Sequence, residues 1–233
     1  MVSLRHLFFD AMHLFFPHNC LGCGTDILPE KSLLCLRCST SLPYTGYECI
    51  ESNPVEKIFR GRTTLMAAAS TFYFSKSHVV QTLIHQLKYE GNIEAGEYLG
   101  ALVGRVLLQS GRFSNIDYLV PLPLFAEKEF KRGFNQSEII CKGISTVMDA
   151  PLLINNVIRN RYTDTQTKKH RAERWKNVEG SFAVRDPAPL QGKNILLVDD
   201  VITTGATLEA CTQCMLAIPG ISVSLATAAT ASK

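Results

Sequence analysis

The chain has 233 residues, 46% hydrophobic and 19% charged, with a formal net charge of +3 at pH 7. This is the composition of a globular chain and excludes disordered, collagenous and coiled-coil classes. The length suits one or two domains, and no apolar run reaches the ~20 residues of a bilayer span. The N-terminal stretch Leu4 to Pro17 is interrupted by His6, Asp10 and His13 and has no small-residue cleavage site. A cytoplasmic chain without a signal peptide is therefore expected.

Residues 1–16 carry Phe8, Phe9, Phe15 and Phe16 in an amphipathic pattern and read as a short helix packed on the body. Residues 17–46 hold two cysteine pairs in a turn-rich setting with Pro17, Gly22, Gly24, Pro29, Pro43 and Gly46. Residues 47–62 read as a connector broken at Asn53-Pro54. The character changes at residue 63, which divides the chain into an N-terminal module, 1–62, and a second domain, 63–233. Thr64–Phe74 predicts a strand, and His78–Tyr89 and Ile93–Leu108 predict helices. Ile116–Val120 predicts a strand running into Pro121-Leu-Pro123, and Phe134–Met148 predicts a helix. Leu152–Ile158 reads as a strand, Ile195–Val198 as a buried strand, 206–217 as a helix and Ile221–Ala228 as a last strand. Strands alternate with helices, and two strands are apolar on both faces. The pattern predicts an α/β fold with a mainly parallel sheet.

Charge is unevenly distributed. Residues 1–62 balance, with six Lys/Arg and six Asp/Glu. Residues 159–176 concentrate Arg159, Arg161, Lys168, Lys169, Arg171, Arg174 and Lys176 against Asp164 and Glu173. Such a local surplus reads as an anion site rather than a diffuse nucleic-acid surface.

Four of the eight cysteines form Cys20-x2-Cys23 and Cys35-x2-Cys38. The spacing is that of a closed four-thiolate structural zinc site with no open position for catalysis. His18 would be a fifth ligand and is expected to stay outside. Zinc should drive folding of a module too small to build its own core. The module's zero net charge favours a structural or protein-docking role over DNA binding. Cys211 and Cys214, at i and i+3 of a helix, read as core packing.

The most informative stretch runs from Ile195 through Asp199-Asp200 to Thr203-Thr204-Gly205-Ala206-Thr207-Leu208. It reads as a buried strand, a loop and a helix, and ligands of open α/β sheets lie beyond the C-terminal strand ends. Adjacent carboxylates accept hydrogen bonds from a diol. The loop hydroxyls, and the free N–H groups starting the helix, suit a phosphate. Together they fit a 5-phosphoribosyl group.

This stretch resembles the phosphoribosyl pyrophosphate (PRPP) motif of type I phosphoribosyltransferases. The resemblance implies that Asp199 and Asp200 hold the ribose hydroxyls, that Thr203, Thr204, Gly205, Ala206 and Thr207 bind the 5′-phosphate, and that magnesium is held mainly by pyrophosphate and ribose oxygens. Further segments carry the match to a narrower family. His85-Gln-Leu-Lys88-Tyr89-Glu-Gly91, Val120-Pro-Leu-Pro123, Lys131-Arg132-Gly133-Phe134-Asn135-Gln136-Ser137, Thr165-Gln166-Thr167, Arg171 and Arg174-x2-Asn177-Val178 are similar to the competence protein F (ComF) family. That family joins a cysteine-rich zinc module to a phosphoribosyltransferase domain. It is linked to use of imported DNA.

The resemblance implies a type I phosphoribosyltransferase fold over 63–233, preceded by a small four-cysteine, zinc-ribbon-like module. It implies a glycosyltransferase that transfers ribosyl 5-phosphate from PRPP to an unnamed acceptor, releasing pyrophosphate, in DNA uptake or nucleotide salvage. Glutamine-dependent amidotransfer is not expected, because no cysteine nucleophile follows Met1 and 62 residues leave no room for such a domain. Gln166, Lys168, Lys169, Arg171 and Arg174 would form a hood over the diphosphate. Val120–Pro123 with Lys131, Arg132 and Gln136 would form the pyrophosphate loop. Lys88 is read two ways: a reach to phosphate or acceptor, or a favourable helix end. No residue stands out as a general base; His85 and His170 read as structural or solvated. The alternative reading is a non-catalytic PRPP-sensing adaptor that docks a competence helicase or recombination mediator. Single-stranded DNA is a candidate partner, and an oligomer is compatible with the sequence.

Overall fold

The structure, a computed structural model, describes residues 19–29, 32–74, 79–159 and 181–231. The sequence-predicted helix over 1–16 and most of the basic segment lie outside the described residues. The described chain folds around a four-stranded sheet of β1 (Ala68–Phe74), β2 (Tyr118–Pro121), β5 (Asn194–Ile202) and β6 (Ser222–Ala231). Its order is β1-β6-β5-β2, and every neighbouring pair is parallel. The expected α/β class and parallel sheet are thus present. β5 lies inside the sheet, and its Ile195–Val198 run is fully buried. Both faces of a parallel strand are covered, which is why no polar alternation marks this run.

Helices α4 (Ile93–Ser110) and α6 (Gln136–Met148) cover one face, where Leu99, Val103, Ile140 and Ile144 pack with Leu196 and Val198. A Cβ on Gly100 would lie 2.1 Å from the Ile140 carbonyl oxygen, and one on Gly143 2.0 Å from that of Glu97. The two helices therefore touch backbone to backbone, which only glycine permits. This contact sets how the start of α6 meets the end of β5. Helix α7 (Ala206–Leu216) covers the other face with Leu208, Cys211 and Met215, joined by Val55 and Phe59.

Several elements depart from the sequence reading. β5 does not stop at Val198; pairing with β6 continues to Ile202↔Thr230, so both aspartates stand within the strand. Of the strand read over Leu152–Ile158, only Val157–Arg159 forms β3, paired antiparallel with β4 (Phe182–Val184), while Leu152 makes one isolated bridge to Leu119. Helix α5 (Ala126–Arg132) has no buried residue, and Phe130 is 92% exposed. With no apolar face it leaves no periodic signal. The His78–Tyr89 segment is α3 (Val79–His85) followed by a π-helical turn, Gln86–Glu90.

A short helix, α1 (Leu36–Thr40), starts after Cys35 and buries Cys38. Asn53-Pro54, read as a breaker, instead starts helix α2 (Pro54–Phe59). Pro54 sits where its missing N–H is no loss, and Asn53 Oδ1 accepts from the amides of Val55 and Glu56 at 2.9 and 3.1 Å. Asn53 Nδ2 donates to the carbonyls of Tyr47, Ile50 and Ala68. Arg112 pairs with Glu56 at 2.6 Å and donates to the Ile50 carbonyl at 2.8 Å. The segment before β1 is thereby fastened to the body. No helix among the described residues is long and apolar enough to cross a membrane.

Candidate functional site

The sheet brings its chemistry to the C-terminal end of β5. Side chains alternate along a strand, so Asp199 and Asp200 meet different neighbours. Asp199 Oδ1 accepts from Ser137 Oγ at 3.0 Å and from the Asp200 amide at 2.8 Å. Asp200 Oδ1 accepts from the Val201 amide at 2.7 Å, and its Oδ2 forms an ion pair with Lys88 Nζ. Burial, then the neighbouring Asp200 charge, pushes the Asp199 carboxyl up to about 7. Hydrogen bonds from the Asp200 amide and Ser137, and the Lys88 charge, act the other way. Two carboxylates this close cannot both ionise cheaply in a buried place. Lys88 pairs with Asp200, and Asp199 changes its protonation state near neutral pH.

Past Ile202 the chain turns through Thr203, Thr204 and Gly205 into α7. Gly205 is left-handed, with φ +74°, and no side chain caps the helix. The first amides of α7 thus face a small hollow of about 50 Å³ lined by Asp199, Ile202, Thr203, Thr204, Gly205 and Thr207. Thr203 and Thr204 are exposed, whereas Gly205 is buried. A Cβ on Gly205 would approach Ile58 and Phe59 to 2.9 Å. Helix α2 therefore braces the loop from behind, and Arg62 forms an ion pair with Glu209 in α7.

The structure brings Lys88 to the aspartates from the π-helical turn, a local widening common at functional sites. Arg132 ends α5 and donates to Gln136 at the start of α6, one residue before Ser137. His85 is exposed, stacked on Tyr89 at 4.8 Å and 3.4 Å from Glu90. Gln166, Lys168, Lys169, His170, Arg171 and Arg174 lie outside the described residues. Sequence reasoning gave no individual role to Ser137, Asn135 or Arg159, the last being counted only within the basic run read as an anion site. For the first two a signal existed: Asn135 caps α6, accepting from the Ser137 amide at 3.0 Å, which points the helix start at β5.

Cys20, Cys23, Cys35 and Cys38 converge, all four sulfurs lying within 4.8 Å of one another and none in a disulfide. A tetrahedron with Zn–S arms of ~2.3 Å has edges of ~3.8 Å, and the Cys23 and Cys35 sulfurs are 3.7 Å apart. The donor set and its spacing fit a tetrahedral thiophilic ion. Burial works against ionising Cys20, but the amides of Cys35, Cys23 and Gly22 outweigh it and bring the thiol down to about 6. Cys20, Cys35 and Cys38 share one hydrophobic core with Val80, Leu83 and Leu87 of α3 and the π-helical turn. Gln86 donates to the Leu21 carbonyl at 3.2 Å. The cluster is therefore packed against the turn that carries Lys88. Cys211 is buried in the core beneath α7, with Cys214 packed against it.

Comparison with known proteins bears on this arrangement. Residues 136–233 match the phosphoribosyl transferase domain family. The chain is 33% identical to the DNA utilization protein YhgH of Escherichia coli over 137 residues, 58% of this chain and 60% of that protein. It is 26% identical to Competence protein F of Haemophilus influenzae over 207 residues, 84% and 89% of the two chains. The domain match and these relatives make the chain similar to the phosphoribosyltransferase-like proteins of the ComF family. Another relative, Competence protein ComFC of Bacillus subtilis, is 37% identical over 99 residues, 42% of this chain and 38% of that one. Among solved structures, the glutamine PRPP amidotransferase of B. subtilis aligns with TM-score 0.41 and 18% identity over 58% of this chain and 26% of that one. The domain match begins at Gln136, so it takes in Ser137, both aspartates and the loop before α7, while Lys88 and the four-cysteine cluster lie outside it.

Proposed function

We propose that the protein binds PRPP at the end of β5 and transfers its ribosyl 5-phosphate to an acceptor, in a pathway that uses imported DNA. What carries this reading is one juxtaposition: two buried carboxylates on β5, one ion-paired to Lys88, beside a loop whose helix-starting amides are uncapped. The amides and the hydroxyls of Thr203, Thr204 and Thr207 suit the dianionic 5′-phosphate. Asp199 and Asp200 accept from the 2′- and 3′-hydroxyls and orient the ring. Magnesium bound with PRPP would be held mainly by diphosphate and ribose oxygens and would neutralise charge on the leaving group, as suits an ion that keeps few protein ligands. In the transfer the acceptor's lone pair forms the bond to C1. The C1–O bond breaks with its electron pair leaving on pyrophosphate, and the acceptor's proton passes to solvent. Among the described residues, Lys88 and Arg132 are cations available to the departing charge, and the sequence resemblance would add Lys168, Arg171 and Arg174, which lie outside the described residues. Cys20, Cys23, Cys35 and Cys38 would hold a structural zinc, which would fix the segment that backs the Lys88 turn. The names of the relatives support the link to DNA.

The test is calorimetric titration of PRPP, with and without magnesium, into wild type and the Asp199→Asn/Asp200→Asn double variant. Magnesium-dependent binding that the variant loses is the expected result. Absence of binding to folded, zinc-loaded wild type overturns the reading. Binding without pyrophosphate release over a broad acceptor panel points to the sensing adaptor instead.

A further inference from the structure

A second cavity, of about 200 Å³, shares the start of α6 with the aspartate site, though neither aspartate lines it. Its walls include Pro121 ending β2 and Pro123 beyond it, Asn135 and Glu138 at the start of α6, Arg159 ending β3 and Arg185 just after β4. Ser137, between Asn135 and Glu138, donates to Asp199 at 3.0 Å. One helix start therefore forms both a wall of this cavity and the contact to Asp199.

Arg159 is the unusual group. Its guanidinium carbon lies 3.7 Å over the centre of the Phe125 ring and 5.2 Å from that of Phe182. Its Nε is buried and has no hydrogen-bond partner among the described residues. Among the described residues no carboxylate forms an ion pair with it. Burial lowers its pKa, with the charge of Asp199 opposing that fall. A guanidinium stays protonated in a protein, so its charge persists there, felt by Asp199 but with no direct ion-pair partner among the described residues. Stacking fixes the plane of the fork without using its N–H donors. A flat, pre-oriented fork of this kind is suited to bidentate recognition of a carboxylate or phosphate. Glu129 and Glu138 also line the cavity, so the rest of a ligand there meets acceptors for N–H groups.

We propose that this cavity receives the acceptor of ribosyl transfer, and that the acceptor carries an anionic group held by Arg159. The proposal rests on the PRPP reading for what happens next to the cavity, but not for the anion site itself. It narrows the acceptor class to small N–H-bearing molecules with a carboxylate or phosphate, and disfavours neutral bases.

The test uses the full-length, zinc-loaded protein and matched probes that differ in one charged group: orotate against uracil, and nicotinate against nicotinamide. Arginine Nε resonances of nitrogen-15-labelled protein are followed during titration, with and without magnesium and PRPP. The Arg159 signal is assigned from Arg159→Met, and Arg159→Lys keeps the charge without the fork. The expected result is that a carboxylate probe shifts that signal and binds about tenfold or more tightly than its neutral partner. Arg159→Met removes the preference, Arg159→Lys restores part of it, and PRPP affinity stays within about twofold in both. If wild type fails to distinguish either pair, or binds none of the four, the proposal fails. If Arg159→Met weakens PRPP or pyrophosphate as much as the carboxylate probe, Arg159 serves the diphosphate and the proposal also fails. If the probes discriminate while PRPP does not bind, the anion cavity stands and the transferase reading falls. Should Arg159→Met not fold, Arg185→Gln is the second variant, expected to weaken the carboxylate probe alone.

Discussion

Arg62 and Glu209, 147 residues apart in the chain, form an ion pair that ties the segment before β1 to helix α7. Arg62 Nη1 also donates to the Ile58 carbonyl at 2.9 Å, and Gln213 donates to the Arg62 carbonyl at 3.3 Å. Glu209 is 8% exposed. Replacing Arg62 with Met should leave a buried carboxylate unpaired and cost ~1–3 kcal/mol, less than for a fully buried pair because the Arg62 side chain is 29% exposed. Urea denaturation of Arg62→Met, Glu209→Gln and the double variant gives the coupling. A double variant as unstable as the two losses summed would show that the pair is not coupled.

Gly205 combines a left-handed backbone with no room behind it. Gly205→Ala should strain the turn and push on Ile58 and Phe59, since a Cβ there would come within 2.9 Å of both. A loss of ~1–3 kcal/mol in stability is expected, together with more than tenfold weaker PRPP binding. Calorimetry and thermal melting measure the two; unchanged PRPP affinity would mean that the loop does not hold the phosphate.

Asp199 makes stability and binding depend on pH in opposite ways. Its folded-state pKa, about 7, lies above the ordinary 3.8. The folded state therefore holds the extra proton, and stability falls as pH rises from near 4 through 7. Asp199→Asn should remove that fall and be more stable than wild type at pH 8, by ~2–4 kcal/mol. PRPP with magnesium favours the ionised pair, so affinity should rise between pH 6 and 8. A flat binding profile in wild type would contradict this.

Lys88 lowers the Asp199 pKa and pairs with Asp200. Lys88→Met should move the midpoint of PRPP binding to higher pH, and Lys88→Arg should largely keep it. Binding measured at several pH values separates this from a loss of folding. An unshifted midpoint in Lys88→Met would show that the lysine does not control the pair.

Removing zinc should disturb more than the first fifty residues, because Cys20, Cys35 and Cys38 share a core with Leu83 and Leu87. One zinc per chain is expected by metal analysis. Chelation should lower the melting temperature by at least ~10 °C, given the large free energy that structural zinc contributes to folding. PRPP affinity should fall with it. Cys38→Ser is the matching variant; a chelated protein that melts unchanged would remove zinc from the account.

Residues close in sequence carried what the sequence determined by itself. The run from Ile195 to Leu208 is legible because a buried strand, two carboxylates and a helix start follow one another without a gap. The CxxC pairs are legible because four thiols at that spacing have one common use. The apolar runs of β1, β5 and β6 announce a parallel sheet because both faces must be buried. The tertiary structure alone decided which groups meet. Sheet order brings Ser137 of α6 and Lys88 of the π-helical turn to neighbouring aspartates, and carries Arg62 to Glu209. It also turned Asn53-Pro54 from a breaker into a helix start, since Asn53 finds three carbonyls to bond. Arg159 reads in the sequence as one more charge in a basic run. Only packing against Phe125 and Phe182 orients it, because the rings fix the plane of a partly buried guanidinium.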